Sequence, residues 1–96
     1  MKQIINGLLY DTDKAQQIAS DRYWAPGLFL TTKSWRNTYL YKTKKGNFFT
    51  YHTTRWQGER DHIESVDLGQ AKMLYESLPE HQVEWEEAFG EAVEEA

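Results

Sequence analysis

Four sets of side chains in this 96-residue sequence are of types that could do chemistry: three histidines, scattered serines, a dense run of glutamates, and a stretch where aromatic and basic residues interleave. His52, His62 and His81 lie far apart in sequence and are read as offering neither the i, i+4 spacing nor the H-x-E spacing of a metal site with a general base, so no metal site is expected. His62 stands beside Asp61 and near Glu64, and a carboxylate neighbour can pair with an imidazole and bring its titration near neutrality. Such neighbours are also common around surface histidines without a function. Ser20, Ser34, Ser65 and Ser77 have no nucleophile-elbow context, and no glycine-rich phosphate loop exists. Cysteine is absent, which excludes a thiol nucleophile, a disulfide framework and a thiolate zinc site. Carboxylates are abundant, but hydrolysis needs one raised and one ordinary pKa in a cleft, whereas Glu84, Glu86, Glu87 and Glu91 read as the solvated face of a helix. The expectation is a protein that is not an enzyme and carries no cofactor.

The glutamates and the aromatic stretch instead suggest binding. The sequence from Glu80 onward, EHQVEWEEAFGEAVEEA, contains seven glutamates and no Lys or Arg. Carboxylates held at intervals along a helix can imitate the phosphates of a duplex, whose charges recur about every 1.7 Å of axis, and so occupy a basic groove on another protein as a DNA mimic. Val83, Trp85, Ala88 and Phe89 would anchor that helix, leaving Glu80, Glu84, Glu87 and Glu91 as candidate contacts; the plainer reading is a solubilising tail. The other candidate surface is the basic aromatic hairpin 39–53 with its flanks. There Trp35, Arg36, Lys42, Lys44 and Lys45 accompany Tyr39, Tyr41, Phe48, Phe49 and Tyr51, a combination able to stack on and neutralise single-stranded nucleic acid. The alternative is that half of these aromatics alternate into the core and the lysines cluster at a solvated turn.

Charge divides the chain along the same line. Residues 1 to 60 carry ten Lys/Arg against four acids, a net of +6, and residues 61 to 96 carry Lys72 against eleven acids, a net of −10. Either the molecule is an electrical dipole or its halves neutralise each other by packing.

These side chains need a scaffold, and the length and uniform composition suit one domain spanning 1–96. Asn6-Gly7 between two short apolar runs predicts a type I′ turn. Asp11 or Thr12 then caps a helix whose apolar stripe is Ala15, Ile18 and Ala19, ending at Ser20-Asp21. Residues 27–32 read as a strand, with Lys33 to Asn37 as a connection. The clearest element is a hairpin of strands 39–43 and 47–53 joined by Lys44-Lys45-Gly46, whose glycine takes positive φ. His62 to Val66 suits a short edge strand, with Ile63 and Ser65 on one face and Glu64 and Val66 on the other. Asp67 with Gln70 makes a capping box for a helix striped by Leu68, Ala71, Leu74 or Tyr75, and Leu78, and stopped by Pro79. An acidic C-terminal helix over 80–96 completes the expected fold. That fold is α+β: a small antiparallel sheet of three to five strands packed against an N-terminal helix and two C-terminal helices.

The combination of Asn6-Gly7-Leu8-Leu9-Tyr10-Asp11-Thr12-Asp13-Lys14-Ala15, Leu40-Tyr41-Lys42-Thr43-Lys44-Lys45-Gly46-Asn47-Phe48-Phe49 and Glu86-Glu87-Ala88-Phe89-Gly90-Glu91 resembles a group of small proteins of bacterial mobile elements and phages. Small acidic proteins of such elements include anti-CRISPR proteins, many of which bind a CRISPR effector and block target DNA. The resemblance implies no catalytic residue. It departs at Thr53-Thr54-Arg55-Trp56-Gln57-Gly58, where a more glycine-rich turn would be expected, and so makes Arg55 and Trp56 candidate contacts, types over-represented among interface anchors. The expected function is a cytoplasmic protein that binds and inhibits a host nucleic-acid-binding complex, in its most specific form an anti-CRISPR protein against a CRISPR effector subunit. The alternative is a small nucleic-acid-binding or regulatory protein using the hairpin. No apolar run approaches the roughly 18 residues of a membrane span, so no membrane partner is expected.

Overall fold

The computed structural model describes residues 1–21, 36–55 and 57–93. Asn6 and Gly7 both take positive φ, +53° and +77°, the backbone that a type I′ turn requires. They join β1 (Lys2–Ile5) to β2 (Leu8–Asp11) in a two-stranded sheet. A second, five-stranded antiparallel sheet is built from β3 (Gln16–Ser20), β4 (Arg36–Lys42), β5 (Phe48–Thr54), β6 (His62–Val66) and β7 (Glu80–His81), in the order β6-β5-β4-β3-β7. Two helices, α1 (Leu68–Ser77) and α2 (Trp85–Phe89), complete the described elements. Seven strands against two short helices make the described residues mostly β, which overturns the expected α+β sheet with an N-terminal helix and two C-terminal helices.

The N-terminal helix fails for a local reason. Asp11 does act as a cap: its side chain accepts from the Asp13 N–H at 2.9 Å, and its carbonyl accepts from Lys14 and Ala15. The turn stops there, and the chain enters β3 with a bulge between Gln17 and Ala19. A bulge breaks the alternation of side chains, so Ile18, Ala19 and Ser20 are all fully buried in succession. That run imitates a helical stripe in sequence. The pairing partners explain the burial, because β3 is flanked on both sides by β4 and β7.

The central hairpin forms as expected. Tyr41 pairs with Phe49 and Tyr39 with Tyr51; Gly46 at φ +89° donates to the Thr43 carbonyl at 2.9 Å to close the turn. Strand β6 has the expected alternation, and the Asp67–Gln70 capping box is complete, with Asp67 Oδ1 accepting from the Gln70 N–H at 2.8 Å. The strand expected over 27–32 and its connection through 35 lie outside the described residues, and β4 already begins at Arg36. The helix expected over 80–96 is confined to Trp85–Phe89: Glu80–His81 pairs with β3, and Gly90 in the left-handed conformation closes α2.

Both faces of the five-stranded sheet are covered. On one, Leu40, Phe48 and Val66 meet Ala71, Tyr75 and Leu78 of the α1 segment and Ala88, Trp85 and Phe89 of α2. On the other, Phe49 and Ile63 meet Tyr10 of β2, with Ile5, Ala15, Tyr41 and Tyr51 packed around them. The Ile63 N–H also donates to Gln3 Oε1 at 3.0 Å, tying β1 to the edge strand β6.

Candidate functional surfaces

The aromatic half of the basic hairpin is mostly core. Phe48 and Phe49 are buried, and the half-buried Tyr41 lies parallel to Phe49 at 5.1 Å between centroids. Burial pushes the Tyr41 phenol above its ordinary range. Tyr39 and Tyr51, stacked on each other at 5.8 Å, also keep partial exposure. The structure thus favours the alternative in which these rings alternate inward, and it leaves little face for base stacking. Trp35 and Trp56 lie outside the described residues. Arg36 is bound by Glu59 through both guanidinium and carboxylate ends, with Nε to Oε1 at 3.0 Å. That contact, helped by the Thr54 hydroxyl, holds the Glu59 carboxyl below its usual range. Arg55 is exposed just past β5, and Lys42 lies 6.0 Å over the Phe48 ring. Lys44 and Lys45 are exposed at the turn, where they and Lys14 line a shallow cleft of about 440 Å³ together with the exposed Leu8 and Leu9.

The glutamates sort into two groups. Glu80 is half-buried in β7, Glu87 accepts from Gln16 at 3.4 Å, and Glu91 is ion-paired with Lys72, which also lies 5.8 Å over the Trp85 ring. Glu76, Glu84 and Glu86 are exposed, and their carboxylates make no hydrogen bond or ion pair among the described residues. Their field reaches inward: the Tyr75 phenol is pushed up first by burial and then by the charges of Glu84 and Glu86. Because α1 is docked through buried Ala71 and Tyr75, and α2 through buried Ala88 and half-buried Trp85 and Phe89, the backbone that carries these carboxylates is fixed to the core.

A third grouping was not visible in the separation of the histidines. His52 pairs directly with His62 across β5 and β6, and Glu64 is two residues along β6 on the same face. The imidazoles stack at 4.8 Å. His62 Nε2 lies 3.2 Å from Glu64 Oε1, His52 Nε2 lies 3.5 Å from Glu64 Oε2, and one ligand atom from each of the three residues falls within 4.8 Å of the other two. The far nitrogens are also engaged, Nδ1 of His62 with the Arg60 carbonyl at 3.3 Å and Nδ1 of His52 with the Thr38 hydroxyl at 3.4 Å. The available signal was His62-Ile63-Glu64, alternate residues of a strand that must share a face. His81 takes no part: its Nε2 contacts the Tyr75 carbonyl at 2.6 Å, and its ring stacks on Tyr75.

Burial holds the His52 pKa below the ordinary value of 6.5, and His62 adds to this while Glu64 and Asp21 oppose it. A folded value below the unfolded one means that the unfolded chain binds the extra proton in the window between them. The contribution of His52 to stability is therefore kept above the unfolded value near 6.5 and lost as pH falls through it towards the folded value. Urea midpoints measured with a chelator present from neutral to mildly acidic pH should fall, and His52→Asn should flatten the slope; an equal slope in the variant would assign the acid sensitivity elsewhere.

No family model, curated protein or solved structure matches this chain. The resemblance to mobile-element proteins therefore gains no support from comparison, and function rests on the geometry. No helix among the described residues is long and apolar enough to cross a membrane.

Proposed function

We propose that the protein is a non-enzymatic binding protein whose acidic α1–α2 layer docks onto a basic, nucleic-acid-handling surface of a protein partner in the cytoplasm. The observation that carries this reading is that Glu84, the N-cap of α2, and Glu86 in its first turn stand exposed on an element seated in the core, while Lys72, the one Lys or Arg of residues 61–93, is paired with Glu91. Fixed carboxylates keep their spacing when a partner arrives, so they steer encounter and hold register, whereas mobile ones mainly solvate. An anti-CRISPR protein is the narrowest form of this reading, and it depends on the resemblance alone.

The geometry also refines the test. Glu91 and Glu87 have internal partners, so the informative variant is Glu76→Gln, Glu84→Gln, Glu86→Gln together. The tagged chain is used to capture partners from nuclease-treated bacterial lysate containing a CRISPR system, and affinity for the purified partner is then measured against salt. The expected result is a nucleic-acid-binding protein whose affinity falls with salt and falls roughly tenfold or more in the triple variant, since rim charges act chiefly on association rate and salt dependence. A partner bound equally by the variant would sink the acidic-face reading.

The lysine cleft favours a second reading, direct nucleic-acid binding, because it gathers Lys14, Lys44 and Lys45 beside one concave surface. The same capture separates the two: enrichment that disappears on nuclease treatment, with retention of DNA or RNA by the pure chain at low salt, assigns binding to the lysines.

A further inference from the structure

We propose that His52, His62 and Glu64 form a divalent-metal site of the zinc class on the helix-bearing face of the sheet. The argument begins with the Glu64 carboxylate. A bare lone pair on His62 Nε2 facing a carboxylate oxygen at 3.2 Å would be repelled, so either an Nε2–H proton or a metal ion lies between them. A neutral His62 has one ring proton for two acceptors, because its Nδ1 also faces the Arg60 carbonyl at 3.3 Å. With His52 Nε2 facing the other oxygen of the same carboxylate at 3.5 Å, one ion held between the two imidazoles and the carboxylate lets the His62 Nδ1–H donate to that carbonyl.

Zinc at roughly 2.0 to 2.2 Å from nitrogen and oxygen ligands sets ligand atoms about 3.3 Å apart in a tetrahedron. The two nitrogen–oxygen gaps of 3.2 and 3.5 Å lie close to that but run to different oxygens of Glu64, and the ligand set spans up to 4.8 Å, so the exposed His62 and Glu64 side chains close in on the ion. The surroundings also have the form of a metal site. His62 Nδ1 has a backbone carbonyl to donate to, which leaves its Nε2 for the ion, and His52 Nδ1 has the Thr38 hydroxyl. The Thr50 hydroxyl, 2.8 Å from His52 Nε2, would have to turn towards the Glu64 carbonyl, which it already approaches at 3.4 Å. The ligands sit on two paired strands, where the backbone ladder fixes their relative positions, and open clefts on either side of His52 give an ion access. Two imidazoles and one carboxylate leave a coordination position open to water. The ion would also clamp the edge strand β6 to β5.

The test uses the full chain freed of metal by a chelator and titrated with zinc chloride alone. Calorimetry should give one ion per chain, and zinc should raise the melting temperature. His62→Ala and Glu64→Gln, both at exposed side chains, should each weaken zinc binding at least tenfold while leaving the circular dichroism spectrum intact; His81→Gln should bind as the wild type does. Nitrogen NMR should show zinc-dependent shifts at His52 and His62 Nε2. Absence of saturable binding, or binding unchanged in both His62→Ala and Glu64→Gln, would overturn the proposal and leave Nε2–H hydrogen bonds to Glu64 as the link.

Discussion

Phe49→Ala is expected to unfold the protein or leave it only marginally folded. The ring is fully buried between β2 and the central sheet, edge-on to Tyr10 at 5.3 Å and face-on to Tyr41 at 5.1 Å. Removing a buried phenylalanine costs about 3–5 kcal/mol because the site cannot collapse around the void. Each aromatic pair adds about 0.5–1.5 kcal/mol beyond area burial. A whole domain is stable by only about 5–15 kcal/mol, and one of this size buries a modest fraction of its surface, so the loss consumes most of what exists. Urea denaturation followed by far-ultraviolet circular dichroism measures it. Met73→Ala, at a side chain 70% exposed, should stay within about 0.5 kcal/mol of wild type. Equal midpoints for Phe49→Ala and wild type would mean that β1 and β2 do not seal this side of the sheet.

The elements legible in sequence were those whose signal is local. Asn6-Gly7, Lys44-Lys45-Gly46 and the Asp67–Gln70 box each specify a turn or cap through their own backbone chemistry, and each forms as read. Strand β3 was illegible because its burial comes from neighbours distant in sequence and its bulge erases the period that marks a strand. The extent of α2 was misread for a related cause: a run of glutamates has helical propensity, but Glu80–His81 is captured by β3, and the Gln82 N–H donates to the Ile18 carbonyl at 3.0 Å. The histidine cluster shows the same limit at the level of a site. His62 and Glu64 share a face by strand alternation alone, whereas His52 joins them only through the register of β5 on β6. The rings of the hairpin were ambiguous because β1 and β2 cover a sheet face that sequence reading left open to solvent.

Ala88→Asp separates fixed charge from charge as such. Ala88 is fully buried at the centre of the docked face of α2, among the cluster that includes Phe48, Tyr75 and Leu78. An aspartate there would need to bury an unpaired carboxylate, which costs several kcal/mol even after relaxation, more than a five-residue helix can offset by staying docked. The helix should detach while the sheet, held by its own ladders, remains. Tryptophan fluorescence should then shift to the red as half-buried Trp85 enters water, with the far-ultraviolet spectrum of the strands retained. The variant is more negative than the wild type. If negative charge alone attracts the partner, affinity should hold or rise; if carboxylate spacing on a seated helix is what the partner reads, affinity should fall by more than in the Glu76, Glu84 and Glu86 triple variant. Undiminished affinity in a variant whose Trp85 has become solvated would remove the geometric argument for the acidic face.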